Sequence, residues 1–98
     1  MAKRLKSAFT DDMEHCIYTG STCVERHHIF GGPNRKRSEK YMFVVPLRPD
    51  IHPNGVYFNP PPGFEDIDIR LKRMAQAYFE EHHGTREEFR IIFGKSWL

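Results

Sequence analysis

The chain has 98 residues, of which 29% are charged and 39% hydrophobic, and its formal net charge is +2. This composition excludes a disordered chain and a membrane-embedded one, because there is enough apolar sequence for one modest core but no membrane-spanning apolar run. No signal-peptide pattern opens the chain, so we expect a cytoplasmic protein with no membrane partner. The two cysteines, Cys16 and Cys23, are too few for a structural zinc site. In a cytoplasmic protein they are not expected to form a disulfide.

The positive charge is unevenly distributed along the chain. Residues 1–48 contain nine Lys or Arg against five Asp or Glu, whereas residues 49–98 contain six against eight. A polar and cationic run follows a Gly-Gly-Pro turn and comprises Asn34, Arg35, Lys36 and Arg37. A one-sided positive field attracts a polyanion such as DNA, although an ordinary solvated surface accounts for these charges about as well.

The N-terminal part predicts an arm and then a hairpin. Residues 1–14 are expected to form a loose arm, and residues 15–98 a single domain. Residues 15–30 predict a β-hairpin with its turn at 19–22. The second arm of this hairpin ends in His27 and His28. Neighbours on a strand point to opposite faces, so one of the two enters a site while the other looks away, unless the strand ends or bends between them.

The middle of the chain predicts a loop, a strand and a turn. Residues 31–40 begin with Gly-Gly-Pro-Asn, which excludes helix at their start, and are expected to form a loop. Residues 41–45 are aromatic and β-branched and predict a buried strand, which Pro46 stops or confines to an edge. A helical turn is expected near His52, since Pro53 is permitted in the first turn of a helix.

The C-terminal third predicts two helices. Residues 64–83 carry an apolar stripe at helical spacing, which comprises Phe64, Ile67, Leu71, Met74, Ala75 and Tyr78. Gly84 is placed to end this helix, and the histidines at its end are expected to be surface or capping residues, namely His82 and His83. Thr85 and Glu88 match a capping box, so a second short helix should run to Gly94. Together these elements indicate an α+β fold.

The order of elements also indicates a chemistry. Two strands, the first of them ending in His27 and His28, precede a turn at His52. A neutral imidazole is a common metal ligand and a common proton acceptor near neutral pH. Histidines beside clustered positive charge therefore indicate metal-assisted attack on a phosphate. The plainer alternative is a solvated histidine pair in a hairpin.

Five segments carry a resemblance to a known family: ERHHIFGGPNR, SEKYMFVVPL, IHPNGVYFN, LKRMAQAYFEEHHG and FGKSWL. Together they resemble the small HNH (His-Me finger) endonucleases carried by phages of Gram-positive bacteria, over roughly residues 15–98. The resemblance implies a ββα-metal core hairpin followed by C-terminal helices, and a metal-dependent nuclease that hydrolyses phosphodiester bonds of DNA. Enzymes of this kind often dimerise, so a homodimer is a further expectation.

The resemblance also implies roles for individual residues. His27 and His52 would bind a divalent metal, expected to be Mg²⁺ or Mn²⁺, or Zn²⁺ or Ni²⁺ after purification. His28 would be the general base that deprotonates the attacking water. The cationic run would contact DNA through Asn34, Arg35, Lys36 and Arg37.

Two departures from the family pattern matter. Relatives commonly bind a structural zinc through four cysteines; here Cys16 alone fits, and the other three positions hold Thr19, Arg48 and Ile51. No structural zinc is therefore expected. Relatives usually carry a metal-binding histidine where this chain has Tyr57, a poor ligand for hard ions because the phenol must first lose its proton. Asn54, Tyr57 and Asn59 are the candidates for a further ligand or a supporting residue. These departures leave open an inactive HNH-fold protein that binds DNA or a protein partner, for example a host defence nuclease that it inhibits.

Overall fold

The computed structural model describes residues 5–98, which form an α+β fold of two strands and three helices. Two single 3₁₀ turns connect these elements, at Gly32–Asn34 and Pro49–Ile51. The strands and helices in chain order are β1 (Glu25–His28), α1 (Arg35–Tyr41), β2 (Val44–Leu47), α2 (Ile67–His82) and α3 (Arg86–Phe93). Among residues 5–98, no helix combines the length and the apolar composition that crossing a membrane requires.

The two strands pair antiparallel, with His27 opposite Val45 and His28 opposite Val44. All four residues of β2 are buried. Pro46 lies inside β2 and has no backbone N–H to donate. A two-stranded sheet tolerates it because one side of each strand pairs with no other strand. The Pro46 carbonyl accepts a hydrogen bond of 3.0 Å from the backbone of Ile17 on that outer side.

The hairpin predicted for residues 15–30 is wrong, because β1 pairs with residues 44–47 instead of 15–18. The turn at residues 16–21 is closed by its own hydrogen bonds. The amide of Gly20 donates to the carbonyl of Cys16, and the amide of Cys16 donates to the carbonyl of Ser21. Within this turn, the amide of Ile17 is the group that bonds the sheet, through the carbonyl of Pro46.

The loop predicted for residues 31–40 is also wrong, because most of it is helix α1. Pro33 lies in the first turn of the 3₁₀ segment that begins at Gly32, where its missing N–H costs nothing, and α1 follows at once. The helix ends at Met42, whose φ of 62° is left-handed and whose amide bonds back to Ser38 and Glu39. The predicted strand accordingly starts at residue 44 and runs to residue 47, past Pro46.

The hydroxyl of Ser38 fixes α1 against the end of β1. It donates to the carbonyl of Phe30 at 2.7 Å and accepts from the amide of Phe30 at 3.0 Å, and Ser38 is fully buried. The side chain thus replaces a missing strand partner just beyond His28. This pair of bonds determines where α1 lies relative to the histidines.

Helices α2 and α3 agree with the sequence prediction to within a few residues. Ile67, Leu71 and Ala75 of the predicted stripe are fully buried on α2. The Thr85 capping box is formed in both directions, and Gly94 ends α3 with a φ of 98°. His82 is the last residue of α2 and His83 its exposed cap residue, so the prediction for this pair is confirmed.

The core is largely aromatic and joins all layers of the fold. Phe30 follows β1 and lies 4.6 Å, centroid to centroid, from Phe93 of α3. Phe89 and Phe93 stack at 4.7 Å, and Phe79 of α2 meets Phe89 edge-on at 5.4 Å. Residues 1–4 of the predicted arm lie outside the described residues, while Phe9 stacks on this core at 6.0 Å from Phe43.

Replacing Ser38 by Ala should destabilise the fold by about 2 kcal/mol, because the buried amide and carbonyl of Phe30 both lose their partner. Urea denaturation followed by circular dichroism measures this change. The matched control is Lys36→Ala on the exposed side of α1, expected to stay within about 0.5 kcal/mol of wild type. Equal stability of the two variants would contradict this role of Ser38.

Candidate functional site

A tight turn after the second 3₁₀ segment positions His52. The amide of Gly55 donates to the carbonyl of His52 at 3.0 Å, and Asn54 between them adopts a left-handed φ of 62°. A Cβ atom on residue 55 would lie 3.0 Å from both the Nδ1 and the carbonyl oxygen of His52. Glycine at this position therefore avoids a tight contact with the imidazole and lets the turn close on it. The 3₁₀ segment ends just before His52 and starts at Pro49, so the predicted helical turn lies earlier than Pro53.

The three histidines predicted for the site line one cleft. The rings of His27 and His52 are 5.0 Å apart, centroid to centroid, at an interplanar angle of 69°. His28 lines the same cleft although it neighbours His27, because β1 ends at His28. The other lining residues are Arg26, Ile29, Gly31, Gly32, Arg35, Pro53, Asn54, Asp68 and Lys72.

His27 is the most buried of the three, with 7% of its surface exposed. Its Nε2 atom is buried and has no hydrogen-bond partner within the protein. Burial, and next the neighbouring imidazole of His52, lower the pKa of His27 from 6.5 to about 4, against an opposing effect of Asp68. At neutral pH the ring is therefore uncharged. A buried polar atom without a partner is costly unless an exogenous group satisfies it.

A carboxylate anchors His52 from the opposite side. The Nδ1–H of His52 donates to Oε1 of Glu25 at 2.6 Å, which leaves the Nε2 lone pair available. Glu25 and His27 are two residues apart on β1, so they share one face of the strand. A carboxylate that receives the second ring N–H is the usual support of a metal-binding histidine.

His28 is anchored by a different carboxylate, on α1. Its Nε2–H donates to Oε2 of Glu39 at 2.8 Å, and only 8% of the His28 side chain is exposed. The acceptor is therefore a side chain of α1. With Nε2 bound to Glu39, the lone pair of His28 is on Nδ1.

An ion pair on α2 completes the cleft wall. The Nζ of Lys72 lies 2.9 Å from Oδ2 of Asp68, one helical turn earlier. Sequence reasoning missed this pair, together with Glu25 and Glu39. The spacing of Asp68 and Lys72 is the signal that identifies an ion pair on a helix, but nothing in the sequence indicates which face of α2 meets the histidines.

The cationic run divides into three environments. Arg35 lines the cleft, whereas Lys36 and Arg37 are exposed on the outer side of α1. Asn34 is structural: its Nδ2 donates to the carbonyl of Phe93 at 3.0 Å, and its Oδ1 accepts from Arg37 at 2.9 Å.

The three candidate supporting residues are not grouped together. Asn54 lines the cleft next to His52. Tyr57 is 67% exposed, and neither it nor Asn59 belongs to the residues of the described chain that line the cleft. The amide of Asn59 instead donates to the carbonyl of Asp50 at 2.8 Å and closes the base of this loop.

The cysteines lie apart from the cleft. Cys16 is buried, and its Sγ accepts a 3.4 Å hydrogen bond from the amide of Thr19, while Cys23 is exposed. Within residues 5–98, no group of three or more His, Cys, Asp or Glu side chains is arranged to hold a metal ion. The pair of His27 and His52 is the arrangement that fits an ion, because one ring presents a buried nitrogen without a partner and the other a carboxylate-supported one.

Comparison with protein-family models, with characterised proteins and with solved structures finds no match for this chain.

Metal-free protein should lose stability as the pH falls from 7 to 5. The unfolded chain protonates residue 27 below about pH 6.5, whereas folded His27 does so only near its pKa of about 4. His27 thus contributes stability that is complete above pH 6.5 and decreases on acidification, by about 2 kcal/mol at pH 5. Urea denaturation in EDTA at both pH values measures the change.

The matched variants for this prediction are His27→Leu and His82→Leu. The first removes the buried titrating group, so its stability should depend less on pH than that of wild type. The second removes an exposed histidine at the end of α2 and should keep the wild-type dependence. An unchanged dependence in His27→Leu would contradict the assignment.

Proposed function

We propose that the protein is a metal-dependent DNA endonuclease of the HNH class, with a ββα-metal site built on β1, β2 and the turn at His52. The observation that carries this proposal is the buried Nε2 atom of His27, which lacks a protein partner and belongs to a ring whose centroid lies 5.0 Å from that of His52. Such an atom fits a role as a ligand, and its depressed pKa keeps it unprotonated and able to bind a cation at neutral pH.

His27 and His52 would hold the divalent ion, for which Mg²⁺ and Mn²⁺ are the proposed choices. When bound, the ion would neutralise charge that develops on the scissile phosphate and its leaving oxygen. Glu25 keeps His52 in the tautomer whose Nε2 is free, and its negative charge strengthens that nitrogen as a donor of electrons.

His28 is the proposed general base. Its Nδ1 would accept a proton from water as the water attacks phosphorus, and the ring would then carry a positive charge. The carboxylate of Glu39, bound to Nε2 at 2.8 Å, fixes the ring orientation and stabilises that charge. His28 and Glu39 come from β1 and α1, and the bonds between Ser38 and Phe30 hold these two elements together.

DNA is the proposed partner, and its phosphates would be bound by Arg35 in the cleft and by the exposed cations of α1. Arg35 lines the cleft, and Lys36 and Arg37 extend the positive surface along the same helix. Contacts of this kind position the backbone without reading base sequence. The proposed location is the cytoplasm of a bacterial host cell, which follows from the resemblance to phage-encoded nucleases.

A second candidate function is a catalytically silent HNH-fold protein that acts by binding DNA or a protein. The exposure of Tyr57 favours it, since the residue at the position where relatives carry a metal-binding histidine is two-thirds exposed and lies outside the cleft wall. In this alternative, the histidines would be remnants of a site.

Plasmid nicking in Mg²⁺ or Mn²⁺ distinguishes the two candidates. We expect wild type to cut, and His28→Ala to lose at least about a hundredfold in rate because proton transfer from water is lost. Glu39→Gln keeps a hydrogen-bond acceptor but removes the charge, so an intermediate loss of about tenfold is expected.

The control for this experiment is His82→Ala, which removes a histidine from another His-His pair on the surface. It should cut like wild type. Absence of cutting by wild type in every metal, together with no metal uptake in calorimetry, would refute the endonuclease and favour the binding protein. Cutting by His28→Ala at the wild-type rate would refute the assignment of the base.

A further inference from the structure

Lys72 is a cation in the wall of the proposed metal site, since it lines the cleft together with His27 and His52. It lies on α2, whereas the histidines come from β1 and the turn after β2. Its charge acts on the site, because it is one of the groups that disfavour protonation of His27. The cationic run on α1 meets the same cleft through Arg35.

The side chain of Lys72 is held in place along its length. Only 19% of it is exposed, and its Nζ is bound to Asp68 at 2.9 Å. The same Nζ lies over the ring of Trp97, 4.5 Å from the centroid. A lysine that is already ordered loses little conformational freedom when it binds a ligand.

The platform under Lys72 is itself fixed by the C-terminal segment. The amide of Trp97 donates to Oε1 of buried Gln76 at 2.6 Å, and its carbonyl accepts from Nε of Arg73 at 3.0 Å. Both partners, Arg73 and Gln76, belong to α2 and lie about one helical turn apart. The tail therefore folds back on the helix and carries the aromatic ring to the lysine.

We propose that Lys72 binds a phosphate oxygen of the nucleic acid beside the two histidines, as a fixed cation at the inner wall of the cleft. The inference rests on the proposed function and adds to it a residue on α2 that the sequence did not single out. A histidine that ligates a metal does so as an uncharged ring, so the ammonium of Lys72 supplies a fixed positive charge in the same cleft that the ligands do not provide. Asp68 holds the ammonium in position in the absence of DNA.

Lys95 provides a matched control. Its Nζ also lies over the ring of Trp97, 4.3 Å from the centroid. Unlike Lys72, Lys95 does not belong to the described residues that line the cleft. Replacement by methionine removes one positive charge and one cation–π contact in either case. Only the replacement of Lys72 should remove a phosphate contact.

The test is the binding of a fluorescein-labelled DNA duplex in EDTA, measured by anisotropy over a range of salt concentrations. Lys72→Met should weaken binding about tenfold at low salt and reduce the slope of log Kd against log salt by about 0.9, the value for one lost phosphate contact. Lys95→Met should change the affinity by less than about threefold. Asp68→Asn should tighten binding, because it removes a negative charge from the cleft while the ring of Trp97 still positions the ammonium.

Equal effects of Lys72→Met and Lys95→Met would overturn the inference, as would a Lys72→Met slope equal to that of wild type. If Lys72→Met does not fold, weaker binding by Asp68→Asn would overturn it independently. The binding assay contains no metal and requires no cleavage. If Lys72→Met weakens binding as expected but wild type never cuts DNA, the endonuclease proposal alone is refuted. If wild type cuts DNA and Lys72→Met binds and cuts DNA as wild type does, this inference alone is refuted.

Discussion

The arrangement of the cleft depends on the pairing register of the two strands. Because His27 lies opposite Val45, its ring points to the side where the chain returns through the turn at His52. A shift of one residue would send the ring to the other face of the sheet. The cost of this register is one buried imidazole nitrogen that no protein atom satisfies. Buried polar atoms without a hydrogen-bond partner are rare in native proteins, and a bound metal ion would supply the missing partner here.

Carboxylates divide the three histidines into two roles. Glu25 bonds Nδ1 of His52, so that Nε2 remains available, while Glu39 bonds Nε2 of His28, so that Nδ1 remains available. Strand β1 thus carries a candidate ligand, His27, and a candidate base, His28, in succession. The supporting carboxylates come from β1 and from α1. The opposite choice of ring nitrogen in the two cases follows from the geometry of the supporting elements.

Local signals in the sequence predicted the C-terminal helices well. The apolar spacing of α2, the Thr85 capping box and the left-handed Gly94 act within a few residues, and all three appear in the structure. Strand pairing was predicted poorly, because it depends on which distant segment covers β1. The turn at Cys16 satisfies its own hydrogen bonds, which leaves β1 to residues 44–47.

The site was predictable only in part, for the same reason. Motif reasoning selected His27, His28 and His52, and the structure places all three on one cleft. The supporting carboxylate Glu39 could not be inferred, because the segment that carries it was taken for a loop and not for α1. Lys72 was hidden by its ordinary place in a helical ion pair.

The most direct test of the proposed site is a crystal soaked in Mn²⁺ and measured at a wavelength where manganese scatters anomalously. The account predicts an anomalous peak between the imidazoles of His27 and His52, bonded to Nε2 of each, and its loss in His27→Leu. A peak only at the surface histidines His82 and His83, or no peak at saturating Mn²⁺, would contradict the account.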